Sequence, residues 1–129
     1  MTQTVLVTGA AAGLGNVIAT SLLKQGYQVV LTDVDATRAR EAAARLDDGQ
    51  DRVLALGLDI CQPQDFADAL DATITRFGCL DVLVNNAALT LATPVMEIAV
   101  EEFDRVIATN LRGTFVGCQT MGRYFATRG

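Results

Sequence analysis

The stretch TVLVTGAAAGLG, Thr4 to Gly15, decides the fold. Its first part is apolar and β-branched and reads as a buried strand over Thr4–Thr8. Gly9, Gly13 and Gly15 then stand among alanines where that strand ends. Leu14, Val17, Ile18, Ser21 and Leu22 follow at helical spacing, and Gly26 stops the helix. Gly9 suits a tight strand-to-helix turn. Gly13 and Gly15 carry no side chain, so a phosphate group can approach the backbone there. The helix N-terminus offers it unpaired N–H groups and a partial positive charge. No Lys-Ser or Lys-Thr follows the glycines, so the loop is not a P-loop. The spacing G-x-x-x-G-x-G also differs from G-x-G-x-x-G. Taken alone, the loop is a weak signal, and a tight strand-to-helix turn with no ligand is the alternative.

Outward from this stretch, strands and helices alternate. Tyr27–Thr32 reads as a second strand, and Asp35 as the cap of a helix whose inner face is Ala39, Ala42, Ala43 and Leu46. Val53–Leu58 is a third strand. Pro63 opens a helix with the stripe Phe66, Leu70, Ile74 and Phe77, which Gly78 ends. Leu80–Val84 is a fourth strand. A long helix then carries Phe103, Val106, Ile107, Leu111, Thr114, Cys118, Met121 and Phe125 on its apolar side. Strand–helix alternation implies parallel strands, and near-continuous apolar strands imply helices on both faces. The fold class expected is α/β, a doubly wound parallel sheet of Rossmann-like type, truncated after about four strands, with residues 1–129 as one domain.

Composition excludes several classes. Half of the 129 residues are hydrophobic and the net charge is −5, so the chain is globular and nucleic acid is an unsuitable partner. Cys61, Cys79 and Cys118 form no C-x-x-C pair and histidine is absent, so no metal site is expected. The first residues lack a basic region and no apolar run has the length of a membrane span. A cytoplasmic protein without membrane contact is the expectation.

In an open parallel sheet, ligands bind beyond the carboxyl ends of the strands. Three further points stand there. Asp33 ends strand two about 18 residues after Gly15, where a carboxylate can accept hydrogen bonds from an adenosine ribose and would repel a 2′-phosphate. The glycine loop holds no Arg or Lys to offset that repulsion, so NAD is favoured over NADP. The alternative is that Asp33 caps the next helix. Asp59-Ile60 ends strand three, where a carboxylate can meet an adenine amino group. Asn85-Asn86-Ala87-Ala88 ends strand four, where amides can fix turns and line a groove. Asn110 falls between Ile107 and Leu111 on the apolar stripe, where an unpaired amide is costly. Its side chain either satisfies a neighbouring backbone group or bends the helix and anchors a water.

In this order and spacing, Thr8-Gly9, Gly13, Gly15, Asp33, Asp59, Asn85-Asn86-Ala87 and Asn110 resemble the short-chain dehydrogenase/reductases over the whole chain. The resemblance implies an NAD-dependent oxidoreductase that transfers hydride between nicotinamide and a carbonyl or alcohol. It implies cofactor contacts from Gly9, Gly13, Leu14, Gly15, Asp33, Asp59, Ile60, Asn86, Ala87 and Ala88. It gives Asn110 a catalytic role, holding a proton-relay water behind a lysine. The family usually has glycine where this chain has Ala88, a methyl expected to have a modest effect on the nicotinamide-side loop.

The same resemblance implies a serine, a tyrosine and a lysine on a helix beyond a fifth strand. Here the only serine is Ser21 and the only lysine is Lys24. Tyr124 and Arg128 mimic a Tyr-x-x-x-basic pair, but they share a helix with Asn110 and read as a solvated helix end. The chain alone is therefore expected to be inactive. The other reading is a catalytically incomplete nucleotide-binding or dimerising half-domain. The fourth strand is expected to leave an apolar edge open, and Gly113 and Gly117 to allow close helix approach between subunits, so a homo-oligomer is expected.

Overall fold

The structure is a computed structural model that describes all 129 residues. The strands β1 (Thr4–Val7), β2 (Gln28–Asp33), β3 (Val53–Gly57) and β4 (Val82–Val84) form one sheet in the order β3-β2-β1-β4, and every pairing is parallel. Helices α1 (Gly13–Lys24), α2 (Ala36–Leu46) and α3 (Pro63–Phe77) connect them. After β4 come α4 (Val100–Ile107), a π-helical segment (Ala108–Gly113) and α5 (Thr114–Arg128), continuous in that order.

The period-2 geometry of a strand divides the core. Val5, Val7, Val29 and Leu31 face α1 and α2, packing on Ala19, Leu23, Ala39 and Ala42. Leu6 and Val30 face the other way, against Phe66 and Ala69 of α3 and Val116 and Met121 of α5. Both faces of the sheet are covered, as a doubly wound fold requires. Chain direction across the sheet reverses between β1 and β4, and this switch point opens a crevice at the carboxyl ends of the strands.

Local signals explain the element ends. The Asp35 carboxylate accepts from the Arg38 N–H at 3.1 Å and caps α2, so Asp33 is free of that duty. Pro63 sits in the first turn of α3, and Gly78 closes that helix in the left-handed conformation at φ 88°.

The structure corrects four expectations. Leu14, Val17 and Ser21 are exposed, and α1 docks instead through Gly15, Ala19 and Leu23. Small residues let the helix sit close to the sheet, which turns the bulkier ones outward. The long apolar stripe is also split. Phe103, Ile107 and Leu111 are exposed, while Gly113, Val116, Gly117 and Met121 are buried. The wider turns of the π segment break the 3.6-residue register, so no single face runs the whole length.

Gly113 and Gly117 serve close approach within the chain. A Cβ on Gly113 would lie 2.8 Å from Ile60, and one on Gly117 would lie 2.8 Å from Asn85 Oδ1 and 2.9 Å from Phe66. Finally, the helix end that carries Tyr124 and Arg128 is exposed at Arg128, as expected, but it is not only solvated. The Tyr124 hydroxyl accepts from the Leu80 N–H at 3.2 Å, and Arg128 donates to the Leu80 carbonyl at 2.7 Å and to Asp81 at 3.1 Å. These side chains take Leu80's backbone groups, and β4 begins only at Val82.

Candidate functional site

The crevice is a groove of about 850 Å³ lined by residues from every strand end. Its walls include Gly9 and Leu14 from the first turn, Asp33 and Val34 after β2, and Leu58 to Cys61 after β3. Asn86 to Thr90 after β4, and Arg105 and Thr109 from the last helical stretch, complete it. Its size suits a small-molecule ligand.

A hydroxyl and an amide hold the switch point together. Thr8 is fully buried, and its Oγ1 accepts from the N–H groups of Asn86 and Ala87, each at 3.0 Å. Asn86 returns the contact, its Nδ2 donating to the carbonyls of Thr8 at 3.0 Å and Gly9 at 3.2 Å. The ends of β1 and β4 are thus crosslinked by four hydrogen bonds on one side of the groove.

The three glycines of the loop have three different physical roles. Gly9 has φ 63°, and a Cβ there would come 2.8 Å from the Ala87 backbone. It makes the turn and lets β4's loop close over it. Gly13 has φ 58° and would meet nothing within 4 Å, so it borders open space. Gly15 is buried: a Cβ there would strike the Gly9 carbonyl and lie 2.5 Å from Asn86 Nδ2. Gly15 therefore brings α1 against the strand ends, underneath the open surface. No side chain caps α1, and its first turn holds no acidic residue. The N–H groups at that end are left to an external acceptor.

Asp33 is half-buried at the end of β2. Its carboxylate accepts from the Ala11 N–H at 3.2 Å and the Asp35 N–H at 3.1 Å, so the glycine loop and the α2 turn fix its position beside the groove. Asp59 accepts from the Cys61 N–H at 2.9 Å, and its own N–H donates to Asp65 at 2.9 Å. Ile60 is buried between these groups and the last helical stretch.

Asn110 lies within the π-helical segment and is exposed, so the expected core amide is absent. Both ends of its side chain are used. Oδ1 accepts from the Leu89 N–H at 2.7 Å and Nδ2 donates to the Leu89 carbonyl at 2.9 Å. The neighbouring-backbone reading thus describes its contacts. The groove brings together Gly9, Leu14, Asp33, Asp59, Ile60, Asn86, Ala87 and Ala88, while Gly13, Gly15 and Asn110 stand outside its lining. Cys61, Arg105 and Thr109 are lining residues that sequence reasoning missed. Cys61 directly follows the Asp59-Ile60 pair, so its neighbours could have pointed to it, whereas Arg105 and Thr109 are brought there only by the return of the last helical stretch. Ser21, Lys24, Tyr27 and Tyr124 lie away from the groove. Tyr27 precedes β2, and Tyr124 contacts Leu80, two residues before β4, both at the opposite end of the sheet.

Comparison with known proteins agrees with this geometry. The model of the short chain dehydrogenase family matches residues 3–129. A diacetyl reductase, (S)-acetoin forming, from Staphylococcus epidermidis is 33% identical over 125 residues, covering 97% of this chain and 49% of the relative. A solved short chain dehydrogenase from Bacillus anthracis superposes with a TM-score of 0.93 at 28% identity, over 98% of this chain and 51% of that one. The 3-ketoacyl-(acyl-carrier-protein) reductase from Brucella melitensis, solved in complex with NADH, gives a TM-score of 0.85 at 32% identity, over 92% and 48%. The chain spans about half the length of the curated relatives it matches. With a family match over nearly its whole length and the same fold in solved members, this chain belongs to the short chain dehydrogenase family.

Proposed function

We propose that this chain is the cofactor-binding half of an NAD-dependent oxidoreductase that moves hydride between nicotinamide and a small carbonyl or alcohol substrate. The observation that carries the reading is the arrangement of the groove. An uncapped helix N-terminus faces open space at Gly13. Asp33 stands at the end of β2 beside the groove with its carboxylate held by two backbone N–H groups. Asp59 and Ile60 form one end, and Asn86, Ala87 and Ala88 the other. These residues fit the dinucleotide: the helix end would hold the pyrophosphate, Asp33 the ribose hydroxyls, and the Asp59–Ile60 wall the adenine. The bound cofactor would supply the hydride chemistry.

The substitution that tests the reading is Asp33→Ala. Loss of charged hydrogen bonds to the ribose should weaken NADH binding about ten- to a hundredfold and erase discrimination against NADPH. An unchanged preference would remove Asp33 from the site.

Catalysis by residues 1–129 alone is not part of the proposal. In this reading the serine, tyrosine and lysine of the chemistry, none of which lines the groove, would come from outside this stretch. Asn110 is assigned an indirect role in that turnover, through the Leu89 loop it holds. A homo-oligomer and a cytoplasmic location belong to the same proposal. Supporting the first are the exposed apolar side chains Val100, Phe103, Ile107, Leu111 and Phe115 along one stretch. Supporting the second are three free cysteines.

A further inference from the structure

The π-helical segment touches both walls of the groove at once. On one side, Asn110 holds the backbone of Leu89 through two hydrogen bonds. On the other, Arg112 Nη1 donates to the Cys61 carbonyl at 2.9 Å. The Cys61 thiol approaches the Ala108 carbonyl at 3.8 Å and Thr109 Oγ1 at 3.6 Å. Gly113 lets the segment press on Ile60. An α-helix through the same residues would present a different side chain at each of these points, because the π turn shifts the phase of everything after it. Arg112 is exposed and forms no ion pair, so its guanidinium is committed to this one backbone carbonyl.

We propose that residues 108–113 act as a strut that sets the spacing of the groove's two walls, with Arg112 as the positioning residue for the Asp59–Cys61 wall. The ligand assignment rests on the dinucleotide reading above; the mechanical claim does not. In that reading the Asp59–Cys61 wall meets the adenosine half of the cofactor. Removing Arg112 should therefore weaken ligands that carry adenosine and spare those that do not.

The test compares Arg112→Ala and Arg112→Lys with the native protein in two readouts. Calorimetry with NADH, ADP-ribose and reduced nicotinamide mononucleotide should show Arg112→Ala binding the first two roughly three- to tenfold more weakly. The mononucleotide should bind unchanged, and Arg112→Lys should recover part of the loss. Amide hydrogen exchange needs no ligand. The N–H groups of Cys61 and Gln62, hydrogen-bonded within the turn, and of Asp59, bonded to Asp65 of α3, should exchange faster in Arg112→Ala. If Arg112→Ala does not fold, Gly113→Ala, which drives a methyl into Ile60, should give the same adenosine-selective loss. Equal weakening of all three ligands, or unchanged exchange at 59–62, overturns the strut. Native protein that binds no nucleotide, with exchange still altered by Arg112→Ala, would sink the dinucleotide reading and leave the strut standing.

Discussion

Thr8→Val isolates the crosslink on which the groove depends. Valine has nearly the shape of threonine, so the change removes a hydroxyl with little change of volume. Thr8 Oγ1 is the acceptor for two backbone N–H groups, those of Asn86 and Ala87. The hydroxyl also approaches the Val84 carbonyl at 3.4 Å, but that carbonyl keeps its bond from the Thr8 N–H at 3.1 Å. The substitution therefore strands two donors and no acceptor. A stranded buried N–H costs about 1–3 kcal/mol. Asn86 and Ala87 are half-buried, so water offsets part of this, and the net loss is about 2–4 kcal/mol. In a domain of this size each kcal/mol moves the melting midpoint about 3–4 °C, so Thr8→Val should melt roughly 6–16 °C lower. Thr8→Ser keeps the hydroxyl and loses one methyl, about 1 kcal/mol. The chain has no tryptophan, so far-UV circular dichroism is the suitable signal for heat and urea melts. Thr8→Val within 0.5 kcal/mol (about 2 °C) of native, or no worse than Thr8→Ser, would refute the crosslink.

Two further perturbations read other parts of the structure. Gly15→Ala adds a methyl against Asn86 Nδ2 and the Gly9 carbonyl; it should destabilise by about 1–3 kcal/mol in the same melts, and a neutral result would mean α1 sits farther from the strand ends than described. Asp81 should give the fold an acid-sensitive contact. Burial works against its charge, but hydrogen bonds from the Thr4 N–H and Arg128 hold its carboxyl below the ordinary value of about 3.9. A depressed folded-state pKa contributes stability that is complete above the unfolded pKa and is lost as pH falls through the folded one. Urea melts of native protein and Asp81→Asn should therefore differ most above about pH 4 and converge below it; a constant difference down to pH 2 would contradict the assignment.

Much of the fold was legible because local chemistry and tertiary demand agree. Asp35, Pro63 and Gly78 mark helix ends by mechanisms that need no knowledge of the rest of the chain. The alanine face of α2 follows from periodicity alone. The groove residues at the strand ends were legible for a topological reason: in a parallel sheet every strand ends on the same side. What escaped was whatever depends on residues distant in sequence. The π turn carries no periodic signature, so the stripe from Phe103 to Phe125 read as one face when it is two. Leu14 and Val17 looked like core by spacing, yet Gly15 and Ala19 allow a closer approach and won that face. Tyr124 and Arg128 could be known as a clamp only once β4 was placed beside them.

The most direct test of the central claim is a titration of the protein with NADH and, in parallel, NADPH, followed by cofactor fluorescence or calorimetry. The proposed dinucleotide reading predicts saturable binding of NADH, with NADPH at least about tenfold weaker because Asp33 would face the 2′-phosphate. Binding of neither, or an equal or stronger affinity for NADPH, would contradict it.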